Sequence, residues 1–149
     1  MYQMKIIAKN KFARFNYEII DQYVAGLELK GWEVKSIRAH HVNLKNAFCS
    51  FKKDELFVTN MHVAPWMLEK NDEFRPRKLL LHRSELKRIS LKIQSLRLVI
   101  IPLAIGWENG KIKLEIALAK ARKKVDKRQA IKTAEIDKKL KKVYNVMGV

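Results

Sequence analysis

Two apolar-rich runs, Leu98 to Trp107 and Lys111 to Leu118, are separated by a short break that holds Asn109-Gly110. Asn and Gly tolerate the positive φ angles of a two-residue type I′ turn, whose twist matches that of paired strands. The chain is thereby committed to an antiparallel hairpin, and the rest of the fold must be compatible with it.

The remaining segments are short and mostly extended. From Tyr17 to Leu29, apolar side chains recur at Tyr17, Ile19, Tyr23, Ala25, Leu27 and Leu29, a spacing near two that predicts a strand. Gly31 opens a short helix over Trp32 to His40, with Trp32, Lys35, Ser36 and Ala39 on one face and Val34, Ile37 and Arg38 on another. Phe48–Phe51 and Leu56–Thr59 flank Lys52-Lys53-Asp54-Glu55, which predicts a hairpin with a polar four-residue loop. Met61 to Pro65 leads out of it, and 66–76 is expected to be surface loop. A helical stretch is expected to begin at Lys78 to Leu81. Ser84 is the expected N-cap of the next helix, because its hydroxyl can accept an early backbone N–H, and Leu86, Ile89, Ile93 and Leu96 form its apolar stripe. Several strands, two or three short helices and no βαβ alternation predict a mainly β chain. The expected form is a small closed antiparallel barrel of the OB type over residues 1–119, which leaves no open sheet edge.

Charge narrows the partners. Lys and Arg number 32 against 15 Asp and Glu, a net +17, and polyphosphate is the commonest neutraliser of such a surface. Residues 120–149 hold 11 of those cations and only 3 acids. Ala130, Ile131, Ala134, Ile136, Leu140 and Val143 give this stretch a weak apolar face. A basic tail is expected there, disordered alone and helical when bound to a polyanion.

Enzyme chemistry is not visible. There is no Gly-rich phosphate loop and no nucleophile elbow. Cys49 stands alone, and His40, His41, His62 and His82 lack metal-ligand spacing, so neither metal nor cofactor is expected. The longest apolar run, Leu98 to Ile101, stops at Pro102, far short of a membrane span, and a cytoplasmic protein is expected. RNA-binding chemistry is left: cations for phosphates, and aromatics to stack on unpaired bases. Tyr17, Tyr23, Trp32, Phe48 and Trp66 are candidates by type, with Tyr23 and Phe48 expected in the core.

An ordered series of motifs then carries a resemblance. It starts at Asn10-Lys11-Phe12-Ala13-Arg14-Phe15-Asn16-Tyr17 and strengthens at Gly31-Trp32-Glu33-Val34-Lys35-Ser36-Ile37-Arg38-Ala39 and Val42-Asn43-Leu44. Asn60-Met61-His62-Val63-Ala64-Pro65 and Arg75-Pro76-Arg77-Lys78-Leu79-Leu80-Leu81-His82 continue it. Asn109-Gly110-Lys111-Ile112-Lys113-Leu114-Glu115, Ala117-Leu118-Ala119-Lys120 and Asp126-Lys127-Arg128 complete it. In order and spacing the chain resembles the small protein B family, the SsrA (tmRNA)-binding proteins, over nearly its whole length. Phe12, Asn16, Val24, His40-His41, Ala121 and Val125 depart from the family pattern.

The resemblance implies an OB-type barrel that binds the tRNA-like domain of tmRNA in trans-translation. It implies a tail that folds in the empty mRNA channel of a stalled ribosome, beside the decoding centre and ribosomal RNA. The elongation factor that delivers tRNA is implied as an indirect partner, and the expected state is a monomer. RNA-binding residues implied are Asn10, Lys11, Arg14, Tyr17, Glu33, Lys35, Arg38, Asn60, Arg77, Lys78, Leu80, Lys113 and Lys120. Leu80 fits a core position equally, and Lys113 a solvated strand position. Ribosome-directed residues implied are Arg122, Lys123, Lys124, Asp126, Lys127, Arg128 and Lys132, with Val143 and Tyr144 as an apolar pair. Charge and fold suit a second reading, a ribosomal or ribosome-assembly protein bound to ribosomal RNA.

Overall fold

In the computed structural model, which describes residues 4–67 and 71–122, the chain begins with β1 (Lys5–Lys9), α1 (Ala13–Asn16), β2 (Tyr17–Leu27) and α2 (Gly31–Arg38). It continues through β3 (Val42–Asn43), β4 (Phe48–Lys52), β5 (Glu55–Thr59), β6 (His62–Val63) and β7 (Arg77–Leu80). It ends with α3 (Arg83–Leu96), β8 (Val99–Glu108) and β9 (Lys111–Ala121). The chain is mainly β with a few short helices, as its sequence predicts. What is expected of residues 123–149 lies outside the described residues.

The β8–β9 hairpin turns where Asn109-Gly110 requires, with φ of 51° and 75° at the two residues, and its ladder runs from Glu108↔Lys111 back to Val99↔Ala119. β9 pairs along its other edge with β2, from Gly26↔Lys113 to Tyr17↔Ala121. β8 also takes β4 along its first half at Cys49↔Ile100 and β1 along its second. With β4–β5, β5–β7 and β7–β2, the pairings that leave β8 on one side return to it through β9. Ile6 lies opposite Gly106 in the β1 register. A Cβ at Gly106 would fall 2.3 Å from the Lys5 carbonyl oxygen, so only glycine lets β1 come this close.

The even positions of β9 (Ile112, Leu114, Ile116, Leu118) face the main core with Leu56, Val58, Leu79 and Ile105. Each such side chain contributes roughly 1.5–3 kcal/mol on burial. Ile37 of α2 and Ile89 of α3 enter the same core, and Leu86 and Ile93 pack beside it. Leu96 is 49% exposed, so the expected helical stripe buries only its first three members. Ala117 and Ala119, on the opposite face of β9, make a second small cluster with Ala13, Ile101 and Leu103, over which Tyr17 and Ile19 pack.

Several local expectations are corrected. Lys78–Leu80 belongs to a strand, because β7 bridges β5 at Phe57↔Lys78 and β2 at Gly26↔Leu80. Ser84 lies inside α3. The N-cap is His82, whose N–H donates to the Glu85 carboxylate at 3.2 Å. Phe48 is 44% exposed, because Cys49 takes the inward place opposite Val58. Tyr23 packs against the core as expected. β9 runs to Ala121, so Lys120 belongs to the sheet. The β4–β5 loop has two residues, Lys53 and Asp54, both left-handed at φ 51° and 63°. Neither residue favours that conformation, which costs a non-glycine residue about 1–2 kcal/mol. Asp54→Gly is therefore expected to raise stability by about 1 kcal/mol, measured by urea denaturation.

Candidate nucleic-acid interface

One row of residues crosses four strands on the outer side of the sheet: Gly106 on β8, Lys113 on β9, Gly26 on β2 and Leu80 on β7. Both glycines are buried, Gly106 beneath Met4 and Lys5 of the β1 edge and Gly26 beneath Lys113 and Leu80. The Lys113 Nζ lies 3.7 Å from where a Cβ on Gly26 would stand, and the Leu80 Cβ lies 3.2 Å from that point on the other side. Leu80 is 50% exposed, so it is not a core residue. A cation and an exposed aliphatic chain thus meet over Gly26. Beside them opens a groove of about 1440 Å³ between the β4–β5 hairpin, β7 and α3, with Val24, Lys78, Arg83 and Lys87 among its walls. Lys78 is paired with Glu55 at 3.0 Å.

The same face of β9 continues from Lys113 through Glu115, Ala117 and Ala119 to Ala121, since alternate residues share a face. Tyr17 covers its far end, opposite Ala121. Nine steps along β2 separate Gly26 from Tyr17, roughly 30 Å. At this end lies a second basic cluster. Asn10 ties the corner down, its N–H on the Leu103 carbonyl at 2.8 Å and its side-chain amide on the Pro102 carbonyl at 3.0 Å. Lys11 and Arg14 project beside it and are exposed. Lys120 is exposed opposite Glu18, and the Arg122 N–H is held by the Asn16 carbonyl at 2.9 Å.

Lys35 and Arg38 lie apart from both clusters, exposed on α2. The Arg38 guanidinium sits 4.8 Å from the ring centroid of Trp107, a geometry in which the ring's π face attracts the cation. Trp107 and Gly106, being consecutive in a strand, face opposite ways, so Arg38 and Lys113 do not share a surface. Asn60 is exposed in a left-handed turn (φ 61°) after β5.

Glu33 and Arg77 are corrections. Both are fully buried, so neither offers a surface to RNA. The Glu33 carboxylate accepts from Arg77 Nε at 2.5 Å, from Arg75 at 2.5 Å and from the Lys30 N–H at 2.7 Å. Arg77 also donates to the Met61 carbonyl at 2.5 Å and the Glu73 carbonyl at 3.2 Å. This ionic knot fastens α2 to β7 and to the loop before it. Burial works to raise the Glu33 pKa, but the bonds from Arg75, Lys30 and Arg77 together hold it below the usual glutamate range.

The structure therefore brings Lys78, Leu80 and Lys113 together, and gathers Asn10, Lys11, Arg14 and Tyr17 at the other end of β2 and β9, where Lys120 is turned to the opposite face and Arg122 is held at Asn16. Sequence reasoning missed Gly26 beneath Lys113 and Leu80, Trp107 beneath Arg38, and the α3 cations at the groove. No local signal marks these, since cross-strand register decides the first and tertiary packing of helices on the sheet the other two.

The chain matches the family model described as SmpB protein over residues 7–146. An SsrA-binding protein of Mycoplasma mobile is 54% identical over 140 residues, 94% of this chain and 99% of that protein. One from Persephonella marina is 45% identical over 95% of each chain. A solved chain from work described as "tmRNA-SmpB: a journey to the center of the bacterial ribosome" is 37% identical, with a TM-score of 0.66. The match covers 83% of this chain and 93% of that one.

Proposed function

Since the chain belongs to the SmpB family, we propose that it binds the tRNA-like domain of tmRNA and brings it to stalled ribosomes for trans-translation. The observation that carries this reading is the outer face of β2 and β9, with Lys113 and Leu80 meeting over Gly26 at one end and the Lys11–Arg14 corner at the other. Phosphate contacts from the cations would hold the RNA in register, and exposed apolar and aromatic groups would read its shape. Asn10 and Tyr17 support the corner from behind. Lys35, Arg38 and Asn60 would contact RNA from outside the two clusters.

The cyclic run of strand pairings supports a closed OB-like barrel. Residues 123–149 would form a separate tail that occupies the empty mRNA channel. There Lys123, Lys124, Asp126, Lys127, Arg128 and Lys132 would work near the decoding centre, with Val143 and Tyr144 as an apolar contact. The protein would act as a binding partner without catalysis or cofactor, in the cytoplasm where ribosomes work.

The test is capture of RNA from cells on the full tagged chain. One enriched tmRNA species is expected, and enrichment of ribosomal RNA alone would replace this reading with that of a ribosomal protein. Lys113→Ala is expected to weaken binding to the tRNA-like domain by about 1–2 kcal/mol, roughly 5- to 30-fold, with the fold intact by circular dichroism.

A further inference from the structure

We propose that Phe12 is a stacking platform for one unpaired base of the bound RNA, an inference that rests on the RNA-binding reading above. At 60% exposure, Phe12 is the most exposed aromatic among the described residues. A ring held so far in water gives up much of the stabilisation that burial would bring.

The ring is exposed but its mount is fixed on both sides. Two residues before it, Asn10 is bonded through backbone and side chain to Leu103 and Pro102. Immediately after it, Ala13 is 2% exposed and sits in the second apolar cluster. The Phe12 carbonyl itself accepts the N–H groups of Phe15 at 3.2 Å and Asn16 at 3.0 Å. Little backbone entropy is therefore left to lose on binding, which favours affinity.

The surroundings select the partner. Exposed Lys11 and Arg14 flank the ring, and the first seventeen residues contain four Lys/Arg and no Asp or Glu. One ring among cations is too small for a protein partner, whose interface buries about 800 Å² on each side. It matches the face of one nucleobase, with the cations placed for the adjoining phosphates.

Stacking and charge respond differently to salt, and the test uses that difference. The probe is a transcript of the tRNA-like domain, titrated with the full chain from low to moderate salt. Phe12→Ala is expected to weaken binding roughly 5- to 100-fold, the range for loss of one base–aromatic stack. The slope of log Kd against log salt should not change, whereas Lys11→Ala or Arg14→Ala should make it shallower by about one. Phe12→Tyr should retain affinity, and Phe12→Leu, apolar but not aromatic, should resemble Phe12→Ala. Unaltered thermal melting of each variant excludes unfolding as the cause. Wild-type affinity in Phe12→Ala, or full affinity in Phe12→Leu, would overturn the stacking role and leave RNA binding standing. Failure of the wild-type chain to bind the transcript would overturn the functional reading itself.

Discussion

Glu33→Ala is expected to destabilise the folded chain by about 3–5 kcal/mol, a large share of the 5–15 kcal/mol typical of a whole domain. The carboxylate is fully buried, and so is the Arg77 guanidinium it holds. Removing one partner leaves the other charged in the interior, where neither water nor another anion reaches it. Arg75→Ala should cost much less, because the Arg75 side chain is 27% exposed and can be rehydrated. Urea denaturation gives both values. At low temperature, where Glu33→Ala remains folded, its affinity for the tRNA-like domain should equal the wild type's; a large loss there would mean that Glu33 contributes to the RNA face after all. The knot also sets an acid limit. With the folded pKa of Glu33 below its unfolded value, its stabilisation is complete above the unfolded pKa and is lost as pH falls through the folded one. Glu33→Gln should lower stability at neutral pH and flatten the acid side of the stability profile.

Ending the chain after Arg122 is expected to abolish tagging of peptides on stalled ribosomes while preserving the fold and most tmRNA affinity. Every described strand pairing ends by Ala121, and the Arg122 N–H still reaches Asn16. Lys113, Leu80 and the Lys11–Arg14 corner all precede the cut. What is removed carries nine Lys/Arg against three Asp/Glu, a net +6 of the +17, which on the proposed reading would face an anionic channel. Reversing Lys138, Lys139, Lys141 and Lys142 to Glu should reproduce the loss without shortening the chain. Tagging at the normal rate by the truncated protein would make the tail dispensable and the proposed channel-filling role wrong.

Much of the sheet is legible from sequence because its signals are local. Asn109-Gly110 dictates its own turn, and the even positions of β9 are apolar without exception from Ile112 to Leu118. β7 fails that test because its outward position is apolar as well. Its outward residue is Leu80, half exposed on the candidate RNA face, so Leu79-Leu80-Leu81 loses the alternation of a strand and takes on the look of a helix start. Sites where function breaks a local rule are where pattern reading goes astray. Glu33 fails differently. A charged residue on a short helix reads as surface until Arg75 and Arg77, more than forty residues on, are brought beside it. The candidate RNA face is a product of register: Gly26, Lys113 and Leu80 are neighbours only because three strands align them.

The bond between the Arg122 N–H and the Asn16 carbonyl has a mechanical consequence. It anchors the last described residue to the corner that presents Phe12 and Arg14, so the described chain ends beside one end of the candidate RNA face. On the proposed reading, a tail after Arg122 would be tethered beside the bound RNA. Its reach into any second site is measured from the RNA, and the local concentration of one partner at the other depends on the span from that root. A flexible insert after Arg122 would lengthen the leash without touching either binding surface, and coupling between the two should fall as the insert grows.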